Sequence, residues 1–237
     1  MPKPAKKYRG LFSIAPKPIK LLNHKLPSDR SLAMALLRRR TTRKIGTRKL
    51  PLQMLSNLLW AACGVNRHKG PFGMAGRTAA SASNSQEIDV YVVMAEGAYL
   101  FEPFRQQLTP VVFEDLRSLS MGRGQGREGA QAPVHLIFVA DINKLVHTMG
   151  YQEPGLHNPA IQRSYYYVDT GLIAANVYLF AASMSLAAWF HNCDRERLSA
   201  RLNLRADQRV LFAQTVGYAL RPPYVNKAKA RRESRLQ

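Results

Sequence analysis

Cysteine is scarce in this 237-residue chain: Cys63 and Cys193 are the only two, with neither a CxxC pair nor a zinc-type spacing. That excludes a disulfide framework, and it predicts reduced structural thiols in a cytoplasmic protein. No signal peptide is expected either, because Pro2, Pro4, Pro16 and Pro18 break up the lysine-rich start where an apolar segment would lie. Hydrolase chemistry finds no support. There is no GxSxG elbow and no HExxH, the six histidines form no ligand pairing, and the acidic residues are scattered, so no metal site is expected. The glycines of residues 121–132, "MGRGQGREGAQA", match neither a P-loop nor a dinucleotide fingerprint and read as a mobile surface loop. No internal repeat is visible.

Acidic residues are also few, 15 against 35 Lys and Arg, but the shortage is uneven. Residues 1–50 hold fifteen basic side chains against Asp29 alone, and residues 221–237 hold six against Glu233. The middle of the chain is nearly neutral. Two basic ends fit either solvated tails or an anionic ligand gripped by both termini. A nucleic-acid partner is disfavoured, since no aromatic interleaving or binding module accompanies the lysines. One long uncharged run exists, residues 172–190, "LIAANVYLFAASMSLAAWF". Its six alanines, Asn176 and two serines, with Asp169 and His191 close by, predict a buried helix rather than a membrane span.

What the chain does contain is one core's worth of alternating elements. The sequence predicts helices at "SLAMALLRRR" and at "LPLQMLSNLLWAACGV", the latter opening near Pro51 and stopping at Gly64. A small-residue loop over residues 64–83 follows. Strands are predicted at "IDVYVVMA", "AYLFE" and "PVHLIFVAD", a long helix over residues 164–186, a short strand at "AAWF", a helix at "RERLSARL" and a closing strand at "RVLFAQTVGYA". The tight turn between the first two strands demands antiparallel pairing, so the expected class is an α+β sandwich, a mainly antiparallel sheet against long helices. A basic arm at residues 1–34, one domain at residues 35–220 and a basic extension at residues 221–237 are expected.

Two stretches carry chemistry. In "RRRTTRK", Arg39, Arg40 and Arg43 flank two threonines at a helix end, a grouping suited to one phosphate or to plain solvation. In "RTAASASNSQEIDVYVV", tiny side chains and Asn84 stand directly before a buried strand. Arg39-Arg40-Thr41-Thr42-Arg43 resembles the opening R-R-S/T-x-R element of the nitroreductase-like flavoprotein superfamily. "LSNLLWAACGVNR" and "RTAASASNSQEIDVYVV" are similar to the helix and the R-T-x-P-S-x-x-N-x-Q segment of its SagB-type dehydrogenase branch. "VDTGLIAANVYLFAASMSLAAWF" resembles its long central helix, and "VGYA" its closing strand.

The resemblance spans about residues 35–220, and it implies an intertwined homodimer with FMN at its interface, reduced by NADH or NADPH. It assigns Arg39, Arg40, Thr41 and Arg43 to the phosphate and ribityl chain, and Ser81, Ser83 and Asn84 to the isoalloxazine edge. The backbone near His191 and Asn192 would face the flavin N5 and O4 region, and Arg232 and Arg235 would close over the phosphate. Ala80 replaces the usual proline and Ala175 the usual glutamine, with no loss of a phosphate ligand. Tyr99 is the one candidate proton donor, though an aromatic alternating along a strand also reads as core. The implied activity is hydride transfer to a quinone, nitroaromatic or similar acceptor. The alternatives are oxidation of azoline rings in peptides, or a cofactor-free anion or nucleic-acid binder on the same scaffold.

Overall fold

A computed structural model describes residues 17–122, 129–149 and 157–220. Besides two single-turn 3-10 helices at Pro71–Gly73 and Ala82–Asn84, fourteen strands and α-helices occur among these residues. They are β1 (Ile19–Lys20), α1 (Leu32–Arg38), α2 (Leu52–Cys63), β2 (Val65–Arg67), β3 (Gly76–Arg77), β4 (Ile88–Met94), β5 (Gly97–Glu102), β6 (Gln107–Val112), β7 (Val134–Asp141), α3 (Ile142–Val146), α4 (Pro159–Ser183), β8 (Ala187–His191), α5 (Arg195–Arg201) and β9 (Gln208–Gly217).

Seven strands form one sheet in the order β1-β6-β5-β4-β7-β9-β8, and every pairing among the described residues is antiparallel. The α+β class and the antiparallel sheet stand as the strand pattern requires. Both faces are covered, which explains why the central strands read as continuous apolar runs. Val90, Val92, Leu136 and Phe138 point to one side and pack with Leu55, Leu58 and Leu59 of α2 and Ile173, Val177 and Phe180 of α4. Tyr91, Val93, Ile137 and Val139 point to the other and meet Leu198 of α5 and Leu202 just after it.

Several elements sharpen the sequence reading. The central helix begins at Pro159, earlier than residue 164, because Asn158 caps it by accepting the Ala160 N–H and Pro159 fits the first helical position. It ends at Ser183. Residues 64–83 are not plain loop: β2 and β3 form a small ribbon in them. Strand β6, "QLTPVV", escaped notice because Pro110 argues against a strand, yet it extends the sheet between β5 and β1. The described part of the basic arm is tied to the domain. Leu21 is buried, Lys25 N–H donates to Asn57 Oδ1 at 2.9 Å, and His24 stacks on Trp60 at 3.8 Å. Of the glycine-rich segment, residues 123–128 lie outside the described residues. Its flanks, Met121 and Ala132, are buried against Ile45 and Trp189. No helix among the described residues is long and apolar enough to cross a membrane.

Candidate functional site

The basic element at residues 39–43 leaves the end of α1 and runs beside β8. Thr42 N–H donates to the Ala188 carbonyl at 2.9 Å, which fixes the segment's register against that strand. Tyr178, on α4, accepts the Phe190 N–H at 2.8 Å and shares a hydrogen bond with Thr41 Oγ1 at 3.1 Å. The Arg39 guanidinium lies 5.6 Å from the Tyr178 ring centroid, and that of Arg43 5.5 Å from the Trp189 ring. Arg39, Arg40 and Arg43 are all exposed, and neither Arg39 nor Arg43 is paired with a carboxylate among the described residues. Two guanidiniums held by aromatic faces, beside a threonine hydroxyl, form a surface suited to a phosphate dianion.

His191 closes β8. Its side chain turns into the core, with Nδ1 2.8 Å from the Asn192 carbonyl and Nε2 2.8 Å from Thr215 Oγ1. Thr215 continues to His135 Nδ1 at 3.1 Å. Burial, then the neighbouring His191 and Arg117, hold His135 down to about 3, so it is neutral. Burial lowers His191 as well. Asn192 is exposed at the strand end, so the backbone there, not the imidazole, is what a ligand would meet.

The turn at residues 81–84 is a tight construction. Ser83, Asn84 and Gln86 have φ of 47°, 56° and 52°, in the left-handed region that non-glycine residues rarely adopt. Asn84 directs its amide inward, donating to the Ala75 carbonyl at 3.2 Å and accepting from Gln86 Nε2 at 3.0 Å. Ser81 Oγ accepts the Gln86 N–H at 3.0 Å, and Ala82 N–H donates to Asp169 Oδ2 at 2.9 Å. Asn176 of α4 donates to the Ala62 and Thr78 carbonyls, tying α4 to the chain that enters the turn.

A buried acid pair lies behind it. Glu87 is 0 % exposed and Asp169 4 %, and the two carboxyls line one small cavity, near enough for the charge of Asp169 to act on Glu87. Burial, followed by the charge of Asp169, pushes Glu87 up to about 7. Burial also raises Asp169, which the Ala82 N–H and the Glu87 carboxyl counter, so the shared proton belongs to Glu87.

Asp169 and Tyr178, the α4 residues that hold the two clusters, are nine positions apart. At 3.6 residues per turn and ~1.5 Å rise that is two and a half turns, so they lie on opposite faces and about 13 Å apart along the axis. One chain therefore brings residues 39–43 together with the end of β8, but not with the turn at residues 81–84. Arg232 and Arg235 lie outside the described residues. Tyr99 is 4 % exposed and belongs to the core under α2. Tyr178 and Glu87 escaped the sequence reading. A tyrosine inside an alanine-rich buried helix needs a hydroxyl partner, and a glutamate opening a strand buried on both faces needs a proton or a cation. Those were the available signals.

Comparison with known proteins adds the following. The model of the nitroreductase family matches residues 36–218. A Methanocaldococcus jannaschii protein named as a nitroreductase is 28% identical over 178 residues, covering 70% of this chain and 83% of its own. A Ralstonia eutropha crystal structure named as a nitroreductase superposes with TM-score 0.76 at 32% identity, over 92% of this chain and 100% of that one. A chain of the Escherichia coli microcin synthetase McbBCD complex shares the fold alone, with TM-score 0.62 at 17% identity over 92% of this chain and 79% of that one.

Proposed function

This chain belongs to the nitroreductase family, and as an oxidoreductase of that family we propose that it binds FMN and takes electrons from NADH or NADPH. The observation that carries the cofactor reading is the pair of exposed guanidiniums of Arg39 and Arg43, paired with no carboxylate among the described residues and braced beside Thr41. Their charge and geometry fit a phosphate monoester, and Arg40 adds to the field. The turn at residues 81–84 fits the other end of the ligand. Ala80, Ser81, Ala82 and Ser83 present no bulky side chain, so its backbone can approach a flat ring. Asn84 shapes the turn from within through its bonds to Ala75 and Gln86.

Because the two clusters sit on opposite faces of α4, a complete site needs two protomers. The phosphate-binding segment and the end of β8 come from one, and the small-residue turn from its partner. This supports a homodimer with the cofactor at its interface. Bound there, FMN supplies hydride acceptance and delivery at N5 toward a quinone, nitroaromatic or similar conjugated acceptor. The chain's own part is to hold the phosphate through residues 39–43, keep the ring flat against the turn, and offer backbone donors near Asn192.

The test is direct. Purified protein should be yellow or become so with added FMN, behave as a dimer by light scattering, and lose its flavin absorbance when NADH or NADPH is added without oxygen. A colourless protein that does not take up FMN overturns the reading.

A further inference from the structure

The turn at residues 81–84 and Gln86 just beyond it hold three left-handed non-glycine residues, each of which costs on the order of 1–3 kcal/mol and persists only where its surroundings over-determine it. Its surroundings are mostly one acid pair. Asp169 accepts the Ala82 N–H at the start of the turn, and Glu87 Oε2 accepts the Ser85 hydroxyl at 2.6 Å just past its end. Both carboxyls are buried and line the same small cavity, so the groups holding the two ends of the turn face each other there, and a proton on one of them would join the two.

The pair is also connected to the outside. Arg77 Nε, Gln86 Oε1 and Glu87 Oε1 are buried without a geometric hydrogen-bond partner, Glu87 having the Asp169 carboxyl available once protonated. Arg77, Gln86, Glu87, Asp169 and Ser81 line one small cavity of about 10 Å³. That is room for one water, which would accept from Arg77 and donate to Gln86. Arg77 and Gln86 also line an open cavity of about 620 Å³ bordered by Phe72, Phe104 and Lys144. Arg77 and Gln86 thus stand between the pair and the solvent-facing cavity.

We infer that Glu87 and Asp169 are positioning residues: sharing one proton, they hold the turn at residues 81–84 in its left-handed shape, and losing that proton releases it. The charged and titratable groups facing the pair are few. Arg77 comes from β3, and Cys63 comes from α2 with its thiol pushed up by burial to about 11 and therefore neutral. Asp89, one residue pair further along β4, is engaged by Lys144. The remaining walls, Ala79, Ala80, Ile88 and Ile173, are apolar. With both carboxyls ionised, two anions face each other in a nearly dry site and Glu87 must swing away, taking Ser85 with it. In so far as the turn contacts FMN, which rests on the function proposed above, flavin affinity falls with that proton.

The experiment uses the full chain and two independent readouts. The first needs no flavin. Infrared difference spectra across pH 5.5 to 8.5 should show a protonated buried carboxylic acid that titrates near neutrality, and hydrogen exchange of the Ala82 to Gln86 amides should rise about tenfold beyond the intrinsic rate. Glu87→Gln, which donates to Asp169 and accepts from Ser85 at every pH, should abolish both. If that variant does not fold, Asp169→Asn, which keeps the acceptor for Ala82 and removes the like charge, should move the acid band to lower pH and flatten the exchange profile. The second readout is FMN affinity, falling about tenfold from pH 6 to 8.5 in the wild type and flat in Glu87→Gln. Absence of the titrating acid band, or equal exchange profiles in wild type and variant, overturns the proposal. A titrating band with no FMN binding at any pH leaves the positioning role standing and removes the flavin reading.

Discussion

Tyr178 and Thr41 meet hydroxyl to hydroxyl at 3.1 Å, across 137 positions of sequence, and this contact joins the central helix to the basic segment. Because Tyr178 also accepts the Phe190 N–H, its own proton is free to go to Thr41. Tyr178→Phe therefore orphans a partly buried N–H and loosens the segment together. The expected loss is about 1–2 kcal/mol, a melting temperature lower by roughly 2–8 °C for a chain of this size. FMN affinity should fall several-fold in the same variant, since Thr41 loses the hydroxyl that holds the segment while Arg39 keeps the ring face. Calorimetry and a flavin titration check the two halves separately. Thr41→Val, which leaves the Phe190 bond in place, should reproduce only the second.

Arg43→Ala removes one guanidinium from the proposed phosphate site and its contact over Trp189. A charge-assisted phosphate contact is worth about 1.5–3 kcal/mol, so FMN should bind roughly 10- to 150-fold more weakly. The melting temperature of flavin-free protein should scarcely change, because Arg43 is exposed. Riboflavin, which lacks the phosphate, should bind the wild type and the variant alike. Unchanged FMN affinity would mean the phosphate lies elsewhere.

The sequence disclosed the sheet because β4 and β7 are β-branched runs buried on both faces, and α2 because Pro51 and Gly64 bracket a leucine-spaced segment. It disclosed residues 39–43 and 81–84 through residue type. It hid what binds them. Tyr178 meets Thr41 only after the chain has closed, and Asp169 meets Glu87 across 82 positions that no local pattern links. Asn84 shows the same limit in another way. Its residue type suggests an amide facing a ligand, whereas in the fold, with positive φ at Ser83, Asn84 and Gln86, the amide bonds the Ala75 carbonyl and the Gln86 side chain.

Asn176 bonds the Ala62 and Thr78 carbonyls at 3.3 and 3.2 Å, one at the end of α2 and one at the entry to the turn. Asn176→Leu fills the space but orphans both acceptors. A cost of about 1–3 kcal/mol is expected. The effect should concentrate between α2 and the turn, so hydrogen exchange near Thr78 should rise while that in β7 and β9 stays unchanged. A uniform rise across the sheet would contradict this local role.

Stability against pH separates the two buried titrating centres, because their signs oppose. Glu87, pushed up to about 7, keeps its proton in the fold after the unfolded chain has lost it. Its contribution is fully present below the ordinary value of 4.5 and is lost as pH rises to about 7, at about 1.4 kcal/mol per unit. His135, held down to about 3, stays neutral in the fold when the unfolded chain is protonated. Its contribution is present above 6.5 and is lost as pH falls toward 3. From about 4.5 to 6.5 the two slopes cancel, one proton favouring the fold as the other disfavours it. Wild-type stability in denaturant should therefore be flatter across that window than that of Glu87→Gln, while His191, also lowered by burial, acts alike in both. Glu87→Gln removes only the first slope, so the variant should lose stability steadily as pH falls through the same window, by about 1.4 kcal/mol per unit relative to wild type. His135→Asn should show the reverse, losing stability as pH rises. Parallel curves for wild type and Glu87→Gln would mean that Glu87 is ionised in the folded protein.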